Sequence, residues 1–319
     1  MTLSRLLQRA FALGAFALAT PAFAAPFAYV TNERGGSVSV IDLADDRVVA
    51  TVPVGSKPRG VSSDGTRLFV SDQERGLLML DLSTRAPQGA VPLGKSPEAV
   101  NASPDGRLVA VAVEEDNAVA FVDPAAGKVR FQVKTRGENP EHAVFSPDGR
   151  FVYVSAENAQ QVDVIDVQAR KIVASVPVGK RPRGIGFLPD GSRAYVASEL
   201  ADEVHVIDAR AHRPLKAIKA GVRVNGIAVS PDGSRVFASL GGEGAVIAID
   251  TATDTVVGRA YVGQRPWNMA VTPDGARLLV ANGRSGTVSV VDTATMRTTG
   301  SIPVGELPWG VHIPDSRKP

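Results

Sequence analysis

"FVYVSAENAQQVDVIDVQARKIVASVPVGKRPRGIGFLPDG", residues 151–191, holds the plan of the whole chain. Four short runs rich in Val, Ile and Ala, "FVYVSA", "QVDVIDV", "KIVASVPVG" and "RPRGIGFLPDG", are separated by Asn, Asp, Gly or Pro. β-branched residues favour extended backbone and the intervening residues supply turns, so the stretch reads as four antiparallel strands. The phrase recurs in seven units, 28–67, 68–107, 108–150, 151–193, 194–235, 236–277 and 278–319, with a period of 40 to 43 residues and no linker between them. A period of this length built from strands is the mark of a radial repeat.

The punctuation orders the strands. Asp-Gly pairs at 64–65, 105–106, 148–149, 190–191, 232–233 and 274–275 supply hairpin residues that tolerate positive φ. Asp42, Asp81, Asp123, Asp166, Asp208, Asp250 and Asp292 recur once per unit at one place, as expected of carboxylates that bond turn backbone. Prolines 53, 92, 177 and 303 fall in the "VPVG" run. A missing N–H there is tolerated only at a sheet edge, which makes this strand the outermost. The "PRGIGF" strand is then innermost, and Gly186, Ala228 and Ala270 suit the crowded axis.

Seven four-stranded antiparallel sheets around an axis make an all-β, seven-bladed β-propeller. The first unit lacks an inner strand, and the last residues supply one with nothing after it. The segment 306–314, which contains Pro308–Ile313, is therefore expected to pair with the N-terminal strands of 27–55 and close the ring.

The first 24 residues read as a cleaved signal peptide: Arg5 and Arg9, an apolar run from Phe11 to Ala19, then Ala22-Phe23-Ala24. Residues 25–319 are expected to form one exported, periplasmic propeller. Removing the two leader arginines leaves 33 Lys+Arg against 33 Asp+Glu. A neutral chain has no overall field to gather nucleic acid. With no Cys, disulfides, thiol nucleophiles and Cys-held metals are excluded. No later apolar run is long enough to span a membrane.

"AYVTNERGGSVSVIDL", "VVATVPVG", "KPRG" and the recurring "SPDG" resemble the YVTN-repeat β-propeller family over all seven repeats. More narrowly, the leader, the length and the opening "FAYVTNERGGSVSVIDLADDRVVATVPVGSKPRG" are similar to the PQQ-dependent catabolism-associated β-propeller proteins. That resemblance implies periplasmic service to a quinoprotein alcohol-oxidation system. It does not imply binding of PQQ itself, since quinoprotein dehydrogenase propellers have eight blades and a different repeat, and no cofactor is expected. The chain departs from the repeat at "GVSSDG" (60–65) and at "IPDS" (313–316).

Chemistry-bearing motifs are few. "GAVPLGKS" (89–96) fits the phosphate-loop pattern, but Val91-Pro92-Leu93 falls in an edge strand and no helix can follow, so the match is coincidental. His142, His205, His212 and His312 are scattered, with no metal-ligand spacing. The informative position follows the opening Pro of each inner strand and should ring the channel mouth: Arg59, Glu98, Glu141, Arg183, Asn225, Trp267 and Trp309. The next position adds His142 and Asn268.

A position that repeats in place but not in kind suits the reading of a non-symmetric ligand or protein partner. Trp267 and Trp309 either form an aromatic pair for a ligand or pack over a neighbouring loop. Arg59 with Glu98, and Arg183 with Glu141, are expected to pair. A second ring, Glu33, Gln73, Glu114, Glu157 and Glu199, is replaced by Gly241 and Gly283 and is expected to be a solvated rim. The loops inside it carry Lys57, Lys180, Arg181, Arg223 and Arg265. The expected function is a monomeric, non-catalytic binding or scaffolding propeller. A lactonase-like or metal-assisted hydrolase, or single-stranded DNA binding, are the alternatives.

Overall fold

Each run of Val, Ile and Ala forms a strand of five to seven residues. The computed structural model describes residues 27–314. The leader expected over 1–24 lies outside the described residues. Twenty-eight strands, numbered β1 to β28 in chain order, form seven four-stranded antiparallel sheets, with no helix among the described residues. The fold is the expected all-β seven-bladed propeller.

The first blade runs β28 (Pro308–His312), β1 (Phe27–Asn32), β2 (Ser37–Asp42) and β3 (Arg47–Pro53) from the axis outward. Val311 sits opposite Val30 and His312 opposite Tyr29, so the first and last described strands meet in one sheet. The latch strand is shorter than the expected 306–314, because the pairing ends at His312. In the other six blades the inner strand comes from the preceding unit, as with β16 (Pro182–Phe187) beside β17 (Arg193–Ser198).

All seven expected aspartates bond turn backbone; Asp81 Oδ1 accepts from Thr84 N at 2.7 Å and Asp292 Oδ1 from Thr295 N at 2.8 Å. Every Gly of the Asp-Gly pairs has positive φ, from 67° to 94°. Pro53, Pro177 and Pro303 end their outer strands, where no neighbour needs the missing N–H. Pro92 is a correction: its strand stops at Val91, so this Pro sits in the loop beyond.

The core is divided into seven apolar clusters. The cluster at the closure packs Ala28, Val30, Ile41 and Val311 against Leu279, Ala281, Val288 and Val290 of the seventh blade. Inner strands approach until backbones nearly touch. A Cβ on Gly226 would lie 2.3 Å from Trp267 O, and one on Gly310 would lie 2.7 Å from Arg59 O. At the far face, polar bonds tie blade to blade, as in Tyr195 Oη to Asp254 and Arg277 to Asp46, at 2.7 and 2.8 Å.

The latch carries a direct test. Each fully buried Val or Leu contributes about 1.5–3 kcal/mol, and removing residues 306–319 strips such groups from both sides of one blade. We expect cooperative unfolding of the truncated chain to move down by about 10 °C or more, read by circular dichroism. An unchanged melting temperature would contradict the closure.

Candidate functional site

Each inner strand begins with an irregular register. The shift lies between Pro58 and Val61, between Pro97 and Val100, and at the matching place in the other blades. Such a bulge re-aims the side chain it carries. It is what turns the residue after the opening Pro toward the loops at the channel mouth.

The expected pairs form within a larger network. Arg59 reaches Glu98 at 2.5 Å and Glu33 at 3.3 Å. Arg183 meets Glu141 at 2.5 Å and Glu199 at 3.0 Å, and also pairs with Glu157. Glu199, with no exposed surface, further collects Arg265 at 2.9 Å and Arg181 and Arg223 at 3.4 Å. The solvated-rim reading of the second ring is therefore corrected: Glu33, Glu157 and Glu199 turn inward and are largely buried. A carboxylate removed from water needs a positive partner, and the loop arginines provide it.

The two halves of the mouth differ in sign. In the loops that lead into the inner strands, the residue before the strand is Ser96 and Asn139 on one side and Arg181, Arg223 and Arg265 on the other, all with positive φ. Arg59 alone faces Glu33 and Glu98 directly, whereas four arginines converge on Glu199. Burial would raise the Glu199 carboxyl, but Arg183 and Arg265 overcome this and hold it below the usual range. Burial, reinforced by the charge of Glu141, pushes Glu98 up to about 8.

The tryptophans do not form a pair with one another. The Trp267 indole lies over the backbone of the neighbouring loop, where a Cβ on Gly283 would be 2.5 Å from its ring. Gly241 likewise leaves room for the Arg265 guanidinium, 3.0 Å from where its Cβ would stand. The two glycines that interrupt the carboxylate ring are thus seats for larger groups. Trp309 instead turns into the channel and faces the His142 ring of the fourth blade, with centroids 5.9 Å apart and planes 19° from parallel.

His142 and Asn268 stand where other blades have Gly60, Gly184, Gly226 and Gly310, so their side chains enter the channel. Asn268 Nδ2 donates to Trp309 O at 3.2 Å. The imidazole of His142 is nine-tenths buried with no hydrogen-bond partner among the described residues. Burial pushes it down to about 4, so it is neutral at pH 7. Together with Trp309, Asn101 and Met269 these residues line a cavity of about 220 Å³. Asn225 is buried as well, but it does not line this cavity.

Sequence reasoning found the ring position and noted Arg181, Arg223 and Arg265 in the inner loops, but did not single them out as part of the site. Their signal was the same repeat position occupied by cations in three consecutive blades. Among the described residues no group of three or more His, Asp or Glu is placed to hold a metal ion, and no helix is long and apolar enough to cross a membrane.

A neutral buried imidazole gives a signed pH dependence. Its folded value lies below the ordinary 6.5, so the unfolded chain binds the proton more readily and stability falls as pH drops from about 6.5 toward 4. Urea midpoints across this range should decline in the wild type and decline less in His142→Asn; identical slopes would contradict the burial of a neutral ring. Removing Arg183 should be severe, since the buried Glu141 would lose its ion-pair partner: Arg183→Gln is expected to cost about 3–5 kcal/mol, partly restored by adding Glu141→Gln.

A family description, "Lactonase, 7-bladed beta-propeller", matches residues 22–172 and 167–303. No curated protein matches the chain. Among solved structures, Kuenenia stuttgartiensis hydrazine synthase is similar at 21% identity and a TM-score of 0.76, over 84% of this chain and 92% of that one. A functionally unknown protein from Desulfotomaculum acetoxidans is similar at 17% identity and a TM-score of 0.79, over 91% of this chain and 100% of that one. At these identities the two structures speak for the fold alone, but the family match covers most of the chain: the protein belongs to the lactonase, seven-bladed β-propeller family.

Proposed function

We propose that this protein is a periplasmic binding propeller that takes a small organic anion at the channel mouth, as an accessory to a quinoprotein alcohol-oxidation system. The observation that carries the reading is the gathering of Arg181, Arg183, Arg223 and Arg265 on the buried Glu199. Arg223 and Arg181 keep part of their surface open beside the mouth. Guanidinium forks match a carboxylate in plane and charge. The cavity between His142 and Trp309 would seat the uncharged part of such a ligand. Oxidation of an alcohol ends in a carboxylic acid, which fits an anion site. The export and the quinoprotein setting rest on the leader and on the repeat phrases.

The second reading is lactone hydrolysis, favoured by the family match and by the free, neutral imidazole of His142. A neutral ring can accept a proton from an attacking water, and the arginines can hold the carboxylate that ring opening produces. One set of measurements separates the two. Calorimetry with succinate should give binding that weakens at least about tenfold in the double variant Arg223→Gln, Arg265→Gln. No heat with succinate or other short dicarboxylates would remove the anion site. Turnover of δ-valerolactone that is lost in His142→Ala would replace the binding reading with the enzymatic one.

A further inference from the structure

The acidic half of the mouth holds a hydrogen-bond count that does not close without an added proton. Ser96, with φ of 55°, places its Oγ between two carboxylates, 3.1 Å from Glu98 Oε1 and 3.0 Å from Glu114 Oε2. Gln73 Nε2 donates to both Ser96 Oγ and Glu98 Oε1, at 3.1 and 2.9 Å. A hydroxyl has one hydrogen. It can be given to Glu98 or to Glu114, and the carboxyl left over must then donate to the Ser96 oxygen. Two ionised carboxylates on one hydroxyl would leave one short contact without a hydrogen.

The surroundings favour a retained proton. Glu98 has no exposed surface, and its Oε2 takes one N–H of Arg59. Arg59 also serves Glu33, and Glu141 stands near enough to repel a charge on Glu98. Glu114 adds to that repulsion; among the described residues its other oxygen accepts from the neutral Asn139, at 3.2 Å, and from no cation. One guanidinium thus faces more carboxylates than it can neutralise.

We propose that Glu98, Ser96 and Glu114 form a proton-holding relay that keeps one proton bound between the two carboxylates at neutral pH and thereby sets the charge of the channel mouth. When base removes the proton, the Ser96 hydrogen passes to Glu114 Oε2 as the Glu98 hydrogen passes to Ser96 Oγ, and Glu114 releases a proton to solvent. No other bond changes. The buried Glu98 is reached through the hydroxyl, because burial closes its direct route to water. Burial, which pushes the Glu98 carboxyl up to about 8, acts in the same direction.

The effect on an anion rests on the proposed anion site. Loss of the proton adds a negative charge across the mouth from the arginines, so anion affinity should fall as pH rises. Proton binding is read separately, by carbon-13 NMR of the glutamate carboxyls in the full-length protein. The expected result is one carboxyl titrating above pH 7 in the wild type. It should disappear in Glu98→Gln, move in Glu114→Gln as the repulsion is lost, and move also in Ser96→Ala, which a merely buried and repelled Glu98 would not show. All glutamates titrating below pH 6, or a Glu98 titration indifferent to both neighbours, would overturn the relay.

Sulfate, which carries a constant charge across this range, is the anion probe. Its affinity should drop roughly threefold between pH 6.5 and 9.5 in the wild type and stay level in Glu98→Gln. If sulfate binds with no pH dependence while the NMR titration appears, the coupling to the mouth is overturned. If sulfate does not bind at any pH, the anion site fails, and the carboxyl titration still decides the relay.

Discussion

Backbone pairing of Pro308–His312 with Phe27–Asn32 is the constraint on which the rest depends. Without it the first blade has no inner strand, the seventh blade loses the face formed by Val311, Val30 and Ala28, and the channel has a gap in its wall. Once the ring is closed, the inner strands are forced together until Gly226 and Gly310 touch neighbouring backbone. Crowding at the axis then leaves few places for side chains. His142, Asn268 and Trp309 occupy three of them, at positions where the repeat departs from itself. The latch and the cavity are the same piece of chain.

The second organising force is electrostatic. Glu33, Glu114, Glu157 and Glu199 from the hairpin loops of four blades meet Arg181, Arg223 and Arg265 from the loops between blades at one mouth. Glu199 and Glu98 are both fully buried, yet their fates differ. Four guanidiniums hold Glu199 ionised, while Glu98 shares Arg59 with Glu33 and feels Glu141 beside it. The contrast arises from one loop position, which is Ser96 or Asn139 on one side and Arg181, Arg223 or Arg265 on the other. A site with a positive and a proton-holding half is suited to an oriented ligand, because a charged end and a neutral end are met differently.

Much of this was legible before any coordinates. The pairing of Arg59 with Glu98 and of Arg183 with Glu141 followed from neighbouring positions in the ring. The rim carboxylates were misread because a Glu in a surface loop is solvated unless something draws it in. What draws in Glu199 is a set of arginines from other positions, including Arg265, two blades away and 66 residues on. The tryptophans were left between two readings for a similar reason. They share a repeat position, but Trp267 finds open space over Gly283, whereas Trp309 finds the His142 ring across the channel.

The sequence by itself determined the number of blades, the order of strands, the turns and the meeting of the two ends. These are set by spacing and local backbone preference, and a repeated phrase states them seven times over. Only the tertiary structure decided where equivalent side chains point and which charges share a proton. That outcome depends on contacts between blades far apart in the chain, at positions where the repeat no longer repeats. Ser96 is the clearest case: its letter marks a loop, and only the folded ring sets its hydroxyl between two carboxylates.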